Sequence, residues 1–518
     1  MDTNPVLLEI FKNRFSSVAE EMGVTLHRTA FSPNIKERRD LSCAIFDRNG
    51  DMIAQAAHIP VHLGSMPQSV RAAIDNVPFN DQDMVVLNDP FKGGSHLPDI
   101  TIVAPVFASD QRPSFYVATR AHHSDIGGMS SGSMPLSTSI FQEGLIIPPL
   151  KIVEAGKIDQ KVMGLILNNV RTPAERHGDF AAQIMANVTG VRRMRELIER
   201  YSLESVDFYA RRLMDYADAG TRKTIRDIPD GVYSFDDFMD DDGIADKNIK
   251  IHVTITINGE EASADFRGSA PQVLGSINAV FAITLSAVHY VFRSLANEDI
   301  PVNAGSFRPI KVLTDKGSVL DAQFPAAVAA GNVELSQRIV DVVLGALSRA
   351  VPERVPAASQ GTMNNLTIGG YDPKNSRPFS YYETIGGGMG AGAMHDGENA
   401  IHCHMTNTLN TPVEAIEYSC PFLVTEYSVR RGSGGKGLHR GGDGITRQVE
   451  LLTDADVTVL SERRKFPPYG LLGGMPGRRG RNIIVSDGEE KEMPGKFSIK
   501  LKKGDIIRIE TPGGGGYG

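Results

Sequence analysis

Between Asn88 and Gly128 the chain sets two polar, glycine-paired clusters around two apolar runs, and few folds accommodate that order. The clusters are Asn88-Asp89-Pro90-Phe91-Lys92-Gly93-Gly94-Ser95-His96-Leu97-Pro98-Asp99 and Ala121-His122-His123-Ser124-Asp125-Ile126-Gly127-Gly128. Residues 100–107 and 114–119 between them read as two β-strands. Adjacent strands would bring both clusters to one end of a sheet. Histidine nitrogens with aspartate oxygens suit a borderline divalent ion such as Zn, Mn or Fe, and paired glycines let backbone approach closely. A single His-x-x-Asp in a loop is more often a strand-end cap than a ligand pair. Two of them, His96 with Asp99 and His122 with Asp125, leave a metal site and a pair of caps as equal alternatives.

Composition limits the partners. A length of 518 residues allows several domains with substantial cores, and a formal charge of -8 offers no electrostatic footprint for nucleic acid. Cys43, Cys403 and Cys420 are scattered, with no Cys-x-x-Cys pair, so neither a disulfide framework nor a thiolate zinc site is indicated and a cytoplasmic setting is expected. The start, Met1-Asp2-Thr3-Asn4-Pro5, has no basic-then-apolar pattern, and no window approaches the ~18 apolar residues of a membrane span. No membrane association is expected.

Taken in order, residues 5–29 carry apolar side chains near a 3.6-residue period and predict a long amphipathic helix. Residues 41–47 predict a strand, with Asp40 at its mouth either a turn aspartate or a further oxygen ligand. His58 and His62 are four apart, but Pro60 between them argues for extended chain, which leaves them as pocket lining at most. Glycines and prolines make residues 132–149 a loop, where Glu143 either is solvated or joins the site. Helix is predicted over 162–201, broken at Thr172-Pro173, and over 204–225; Asn169, Arg171, Arg176, Asp179 and Gln183 near the break read as an anion-holding group or a salt-bridge network.

Residues 249–259 alternate apolar and polar and end in Asn-Gly, the signal of an antiparallel hairpin with residues 262–266. Buried helices are predicted over 275–295 and 332–347, and the glycine run at 386–392 lacks the Gly-Lys-Ser/Thr of a phosphate loop. The last hundred residues read as strands separated by glycine-rich turns, a sandwich or barrel-like module, ending in Thr511-Pro512-Gly513-Gly514-Gly515-Gly516-Tyr517-Gly518, a flexible tail by composition. The expected fold is α+β and multidomain: a mixed α/β part over 1–230 carrying the metal site, a central α+β part over 231–415, and a β-rich module over 416–518.

Several segments resemble one family. They are Glu37-Arg38-Arg39-Asp40, the two clusters above, Gln142-Glu143-Gly144, Asn169-Val170-Arg171-Thr172-Pro173, Met405-Thr406-Asn407-Thr408 and the terminal glycine run. In this order, along essentially the whole chain, they are similar to the hydantoinase B family. That family includes B-type components of ATP-dependent N-methylhydantoinases, the C-terminal half of 5-oxoprolinases, caprolactamase, and subunits of acetone and acetophenone carboxylases. The resemblance implies a hetero-oligomer with an A-type subunit of actin-like fold, which binds ATP and phosphorylates the substrate, while the B-type chain acts on the activated intermediate at one divalent ion (Zn, Mn or Fe). It implies Asp40, His96, Asp99 and His122 as metal ligands, with His123 the alternative to His122, and His123 and Asp125 as the groups that move protons or orient ligands. The function so implied is ATP-dependent hydrolysis of a cyclic amide. A subunit of an ATP-dependent carboxylase is the alternative, and a structural partner with a degenerate site is disfavoured because every candidate ligand type is present.

Overall fold

The computed structural model describes residues 3–56, 58–108, 111–296 and 299–518. The first predicted helix is α1 (Pro5–Thr29), capped by Asn4, whose Oδ1 accepts the amides of Val6 and Leu7, and opened by Pro5. Phe11, Phe15, Val18, Met22 and Leu26 are its buried stripe. One further turn, α2 (Pro33–Lys36), leads into a seven-stranded antiparallel sheet built from β1 (Leu41–Asp47), β2 (Met52–Gln55), β3 (Met84–Leu87), β4 (Asp99–Val106), β5 (Phe115–His122), β6 (Leu150–Glu154) and β7 (Lys157–Ile158), in the order β2-β1-β5-β4-β3-β6-β7.

Both faces of this sheet are covered. The helix α3 (Ser65–Asn76) packs Met66, Val70 and Ala73 against Ala44, Phe46, Val103 and Ala118, while α1 and α5 (Pro173–Tyr201) cover the side carrying Ile45, Ile100, Ile102 and Val117. Strands β1, β4 and β5 are consequently buried at every position, and a strand buried on both faces reads as an apolar run rather than an alternation. The predicted helical break is real: α4 (Gln160–Leu167) precedes α5, and α6 (Leu203–Arg226) follows it. One expectation fails here, and one segment goes unread. The stretch around His58 and His62 is not extended, because Pro60 opens a 3-10 turn (Pro60–His62) that runs into α3. The predicted 132–149 loop is followed by two strands, β6 and β7, that the sequence does not announce.

Strands β8 (Gly231–Met239), β9 (Ile249–Asn258), β10 (Glu261–Asp265) and β11 (Ile310–Leu313) form a second sheet, with the predicted β9–β10 hairpin turning at Gly259, φ +61°. Helices α7 (Phe281–Ser294) and α8 (Ser336–Leu347) pack with each other, and α8 lies on β8 and β9. The helix α7 starts later than predicted. Asn278 just before it spends its side-chain amide on the carbonyls of Val273, Gly275 and Ala327, holding the chain in a loop. Immediately before α8, Gly331–Leu335 forms a π-helical turn.

The remaining strands are β12 (Asn365–Asp372), β13 (Arg377–Glu383), β14 (Phe422–Arg430), β15 (Gly444–Leu451), β16 (Ala455–Leu460), β17 (Arg481–Ser486), β18 (Glu489–Met493), β19 (Lys496–Leu501) and β20 (Ile506–Glu510), with α9 (Val413–Ser419) before β14. They make two sheets, β13-β12-β16-β19 and β14-β15-β20-β17-β18, whose inner residues share one apolar cluster including Leu366, Ile368, Val449, Val457, Ile507 and Ile509. This sandwich draws strands from both sides of residue 415.

The terminal glycines are not a flexible tail. Residues 511–517 are buried; the Gly514 amide donates to Gly442, its carbonyl accepts from Gly435, and the Gly515 amide donates to Ala358. A Cβ on Gly514 would stand 2.0 Å from the Met389 carbonyl oxygen, so glycine serves close backbone contact here. Among the described residues no helix is long and apolar enough to cross a membrane.

Candidate metal centre

Strand register assembles the site. Leu41 pairs with Ala121 and Asp99 with His122, so Asp40, His122 and Asp99 stand in a row across the ends of β1, β5 and β4. The row is closed by backbone, the His122 amide donating to the Asp40 carbonyl at 3.0 Å. His96 comes from the loop before β4. Asn88 pins that loop, donating to the carbonyls of Leu97 and Leu145 and accepting the Ile147 amide, while Gly93 turns it at φ +88°.

Three donor atoms converge. His96 Nε2 lies 3.2 Å from His122 Nδ1, and each of these nitrogens lies 3.2 Å from Asp99 Oδ1. Ligand atoms bound at ~2.0–2.1 Å around a tetrahedral ion are about 3.3 Å apart, so the triangle has the edge length that ligands of one ion require. All three side chains are buried, at 0, 1 and 2% exposure for His96, Asp99 and His122. Asp99 Oδ1 makes no hydrogen bond of good geometry although two ring nitrogens face it. The other ring nitrogen of His96, Nδ1, donates to the Ala329 carbonyl at 3.0 Å, which sets the ring's orientation and turns Nε2 to the cluster, where the neutral imidazole would offer its lone pair. By edge length, donor chemistry and orientation, the residues present fit a divalent ion.

The electrostatics agree. Burial disfavours the Asp99 carboxylate, but charge on His96 and the close ring nitrogens of His122 and His62 outweigh it and hold Asp99 well below the usual carboxylate range. Burial also opposes charge on His96, yet Asp99 draws it above its ordinary value, whereas burial keeps His122 below its own. The two imidazoles around one carboxylate thus move in opposite directions. The ionised Asp99 favours a cation in the cluster, and a divalent ion would be one.

The expected residues divide. His96, Asp99 and His122 meet. Asp40 stays outside this triangle but lines, with His62, His122, Asn332, Tyr382 and three threonines, an adjoining cavity of about 20 Å³, room for roughly one water. His123 turns to the other side, its Nε2 paired with Gln183 and its ring against Phe180 of α5. Burial and the Arg176 charge press its pKa down to about 4. Asp125 pairs with Arg171 and accepts the Arg171 amide. Arg176 binds Ser124 and Asp179, so the polar group near the helical break is the salt-bridge network that anchors the second cluster. Glu143 is buried rather than solvated.

Other members go beyond the expectation: His62 lines the cavity as pocket lining would, and also reaches Asp99. His62 Nε2 lies 3.3 Å from Asp99 Oδ2 while its Nδ1 pairs with Ser42, putting a third imidazole on the carboxylate. Its four-residue spacing from His58 was the available signal, obscured by Pro60. Asn332, on the π-helical turn, places Nδ2 3.1 Å from His96 Nε2, and Tyr382 stacks on His122 at 4.6 Å. Neither residue carries a local sequence cue; both are brought by long-range packing.

The fold and site define a class, a multi-sheet α/β chain whose strand ends gather a buried His-Asp-His cluster. Residues 4–518 match the family model for hydantoinase B/oxoprolinase, and the chain belongs to that family. It is 41% identical to 5-oxoprolinase 1 of Arabidopsis thaliana over 99% of this chain and 42% of that protein. It is 31% identical to a protein described as the B component of a D-/L-hydantoinase in Pseudomonas sp. strain NS671, over 99% of this chain and 90% of that one. The chain spans about two fifths of the 5-oxoprolinases it matches. The ATP-dependent caprolactamase of Pseudomonas jessenii superposes with a TM-score of 0.93 at 30% identity, covering 100% of this chain and 92% of that one. Nucleotide-free acetone carboxylase also gives a TM-score of 0.93, covering 99% and 76%, but at 19% identity it shows the fold alone.

Proposed function

We propose that this chain is the B-type subunit of an ATP-dependent cyclic-amide hydrolase and opens the ring of a substrate that a partner has phosphorylated. The observation that carries the reading is the triangle of His96 Nε2, His122 Nδ1 and Asp99 Oδ1, each edge 3.2 Å. These three residues hold a divalent ion of the Zn, Mn or Fe kind, with Asp40 at the adjoining cavity as a further oxygen donor. Such an ion lowers the pKa of a water toward neutrality and polarises an acyl oxygen.

This chain's residues do the rest. His62 and Ser95 hold Asp99 from the side away from the triangle, so the carboxylate keeps one oxygen for the site. Tyr382 and the apolar side chains of Ile59, Val61, Val333, Met363 and Met405 narrow the cavity and limit its water. His123 and Asp125 orient the second cluster from behind. Resonance makes an amide a poor electrophile; phosphorylation of its oxygen removes that resonance, so that water can add to the carbon. The ring C–N bond can then break with the nitrogen leaving as the amine, and hydrolysis of the resulting acyl phosphate releases phosphate. Hence the reaction needs an A-type, ATP-binding partner. The names of the hydantoinase B component and of the ATP-dependent caprolactamase support this division of labour. They also favour a hydrolase over the carboxylase alternative, whose structural relative shares only the fold.

The test is turnover of hydantoin, 5-oxoproline and caprolactam by this chain co-purified with an A-type subunit and ATP. Ring-opened product that disappears on chelation and returns with a divalent ion is expected. Product formation indifferent to chelation, or no ring opening but carboxylation when acetone and bicarbonate are supplied instead, would overturn the reading.

A further inference from the structure

The ring of His96 is set by one backbone oxygen, and the segment carrying that oxygen is held by a buried carboxylate on a distant loop. The Ala329 carbonyl accepts His96 Nδ1. The amides of Val328 and Ala329 both donate to one oxygen of Glu143, at 2.8 and 3.0 Å, and Ser137 donates to the same oxygen at 2.7 Å. Glu143 is at 0% exposure, lies far from Ala329 in sequence, and its second oxygen has no hydrogen-bond partner. A buried carboxyl group is expensive to keep unless its bonds are needed. Three donors on one atom fix that atom, and through it the Val328–Ala329 peptides, against the loop at 137–144. Gly128 and Gly144 permit this fit: a Cβ on Gly128 would stand 2.6 Å from the Glu143 carbonyl carbon, and Gly144 adopts φ +156° against Ile126.

We propose that Glu143 is a positioning residue for the metal centre: by pinning the amides of Val328 and Ala329 it fixes the carbonyl that orients His96. The proposal rests on the metal reading of the cluster. The hydrogen bonds of Glu143 go to Ser137, Val328 and Ala329 and to none of the three ligand atoms, so its effect is on how His96 presents Nε2. Outer partners of this kind typically contribute ~10–100-fold to metal affinity. The substitution Glu143→Gln keeps a carbonyl oxygen in place of the accepting one, whereas aspartate, a methylene shorter, would not reach both amides without pulling the loop.

The experiment loads the full chain with Co(II), reading affinity by chelator competition and ligand field by the visible spectrum. Glu143→Ala and Glu143→Asp should bind Co(II) ~10–100-fold more weakly with a shifted spectrum, and Glu143→Gln should stay within a few-fold of wild type. Should Glu143→Ala fail to fold, the Asp and Gln pair decides. Wild-type affinity and an unaltered spectrum in folded Glu143→Ala or Glu143→Asp would overturn the positioning role while leaving the metal reading intact. A wild-type chain that takes up no Co(II) would instead overturn the metal reading and the inference with it.

Discussion

At the scale of single residues, the cluster makes two measurable demands, and Glu334, a buried carboxyl on the π-helical turn that accepts from the Met363 amide and Asn365, makes a third. The purified chain should carry about one divalent ion by elemental analysis, and His96→Ala should lose it. Removing the ring leaves a void costing on the order of 2–5 kcal/mol, within a typical domain's stability, so circular dichroism should still report a folded chain. His62→Ala should weaken ion binding ~10–100-fold, measured by chelator competition, because Asp99 loses the imidazole that holds its second oxygen. The third demand is on pH. Burial, reinforced by the neighbouring Glu462, raises the carboxyl of Glu334 to about 7. A carboxyl raised in the folded state stabilises the fold fully below its unfolded value near 4.5, and that contribution is lost as pH rises through about 7. Relative to Glu334→Gln, the wild type should therefore lose roughly 3 kcal/mol between those pH values and level off above them, as thermal or denaturant melts would record. Of the site itself, His96, Asp99 and His122 are legible because they fall in two glycine-paired clusters flanking strands. His62 is not, since Pro60, which locally argues for extended chain, in fact opens a turn, and Asn332 and Tyr382 reach the site only through packing.

At the scale of elements, periodicity serves where one segment settles its own structure. The helix α1 is legible to its ends because a stripe, a cap and a proline coincide. The β9–β10 hairpin is legible from alternation and Asn-Gly. Where conformation depends on distant backbone, local reading fails. The last glycines look flexible, yet their missing side chains let them lie against Met389, Tyr469 and Lys436. This makes a sharp prediction. Gly514→Ala would force a Cβ to within 2.0 Å of the Met389 carbonyl oxygen, where only backbone can yield. The variant should melt with a loss of at least ~2–4 kcal/mol or fail to fold, whereas Gly488→Ala, with nothing within 4 Å but a positive φ of its own, should cost only about 1 kcal/mol. Equal melting temperatures for the two variants would contradict a packed terminal strap.

At the scale of the whole molecule, the sheets explain why the site lies where it does. Three strands of one antiparallel sheet end together and place Asp40, His122 and Asp99 in a row, while the segment at 328–332 crosses from the second half of the chain to orient His96. The metal chemistry proposed here thus draws on both halves of the chain, and in the proposed reading the ATP chemistry belongs to a partner. Alone, the chain should neither cleave ATP nor open a lactam; with an A-type subunit it should do both. The most direct measurement compares ADP formation with ring-opened product in that reconstituted pair, using wild-type chain and Asp99→Ala. The expected result is that Asp99→Ala abolishes product while substrate-dependent ADP formation persists. Undiminished product from Asp99→Ala, or strong ATP cleavage by this chain in isolation, would contradict the two-component mechanism.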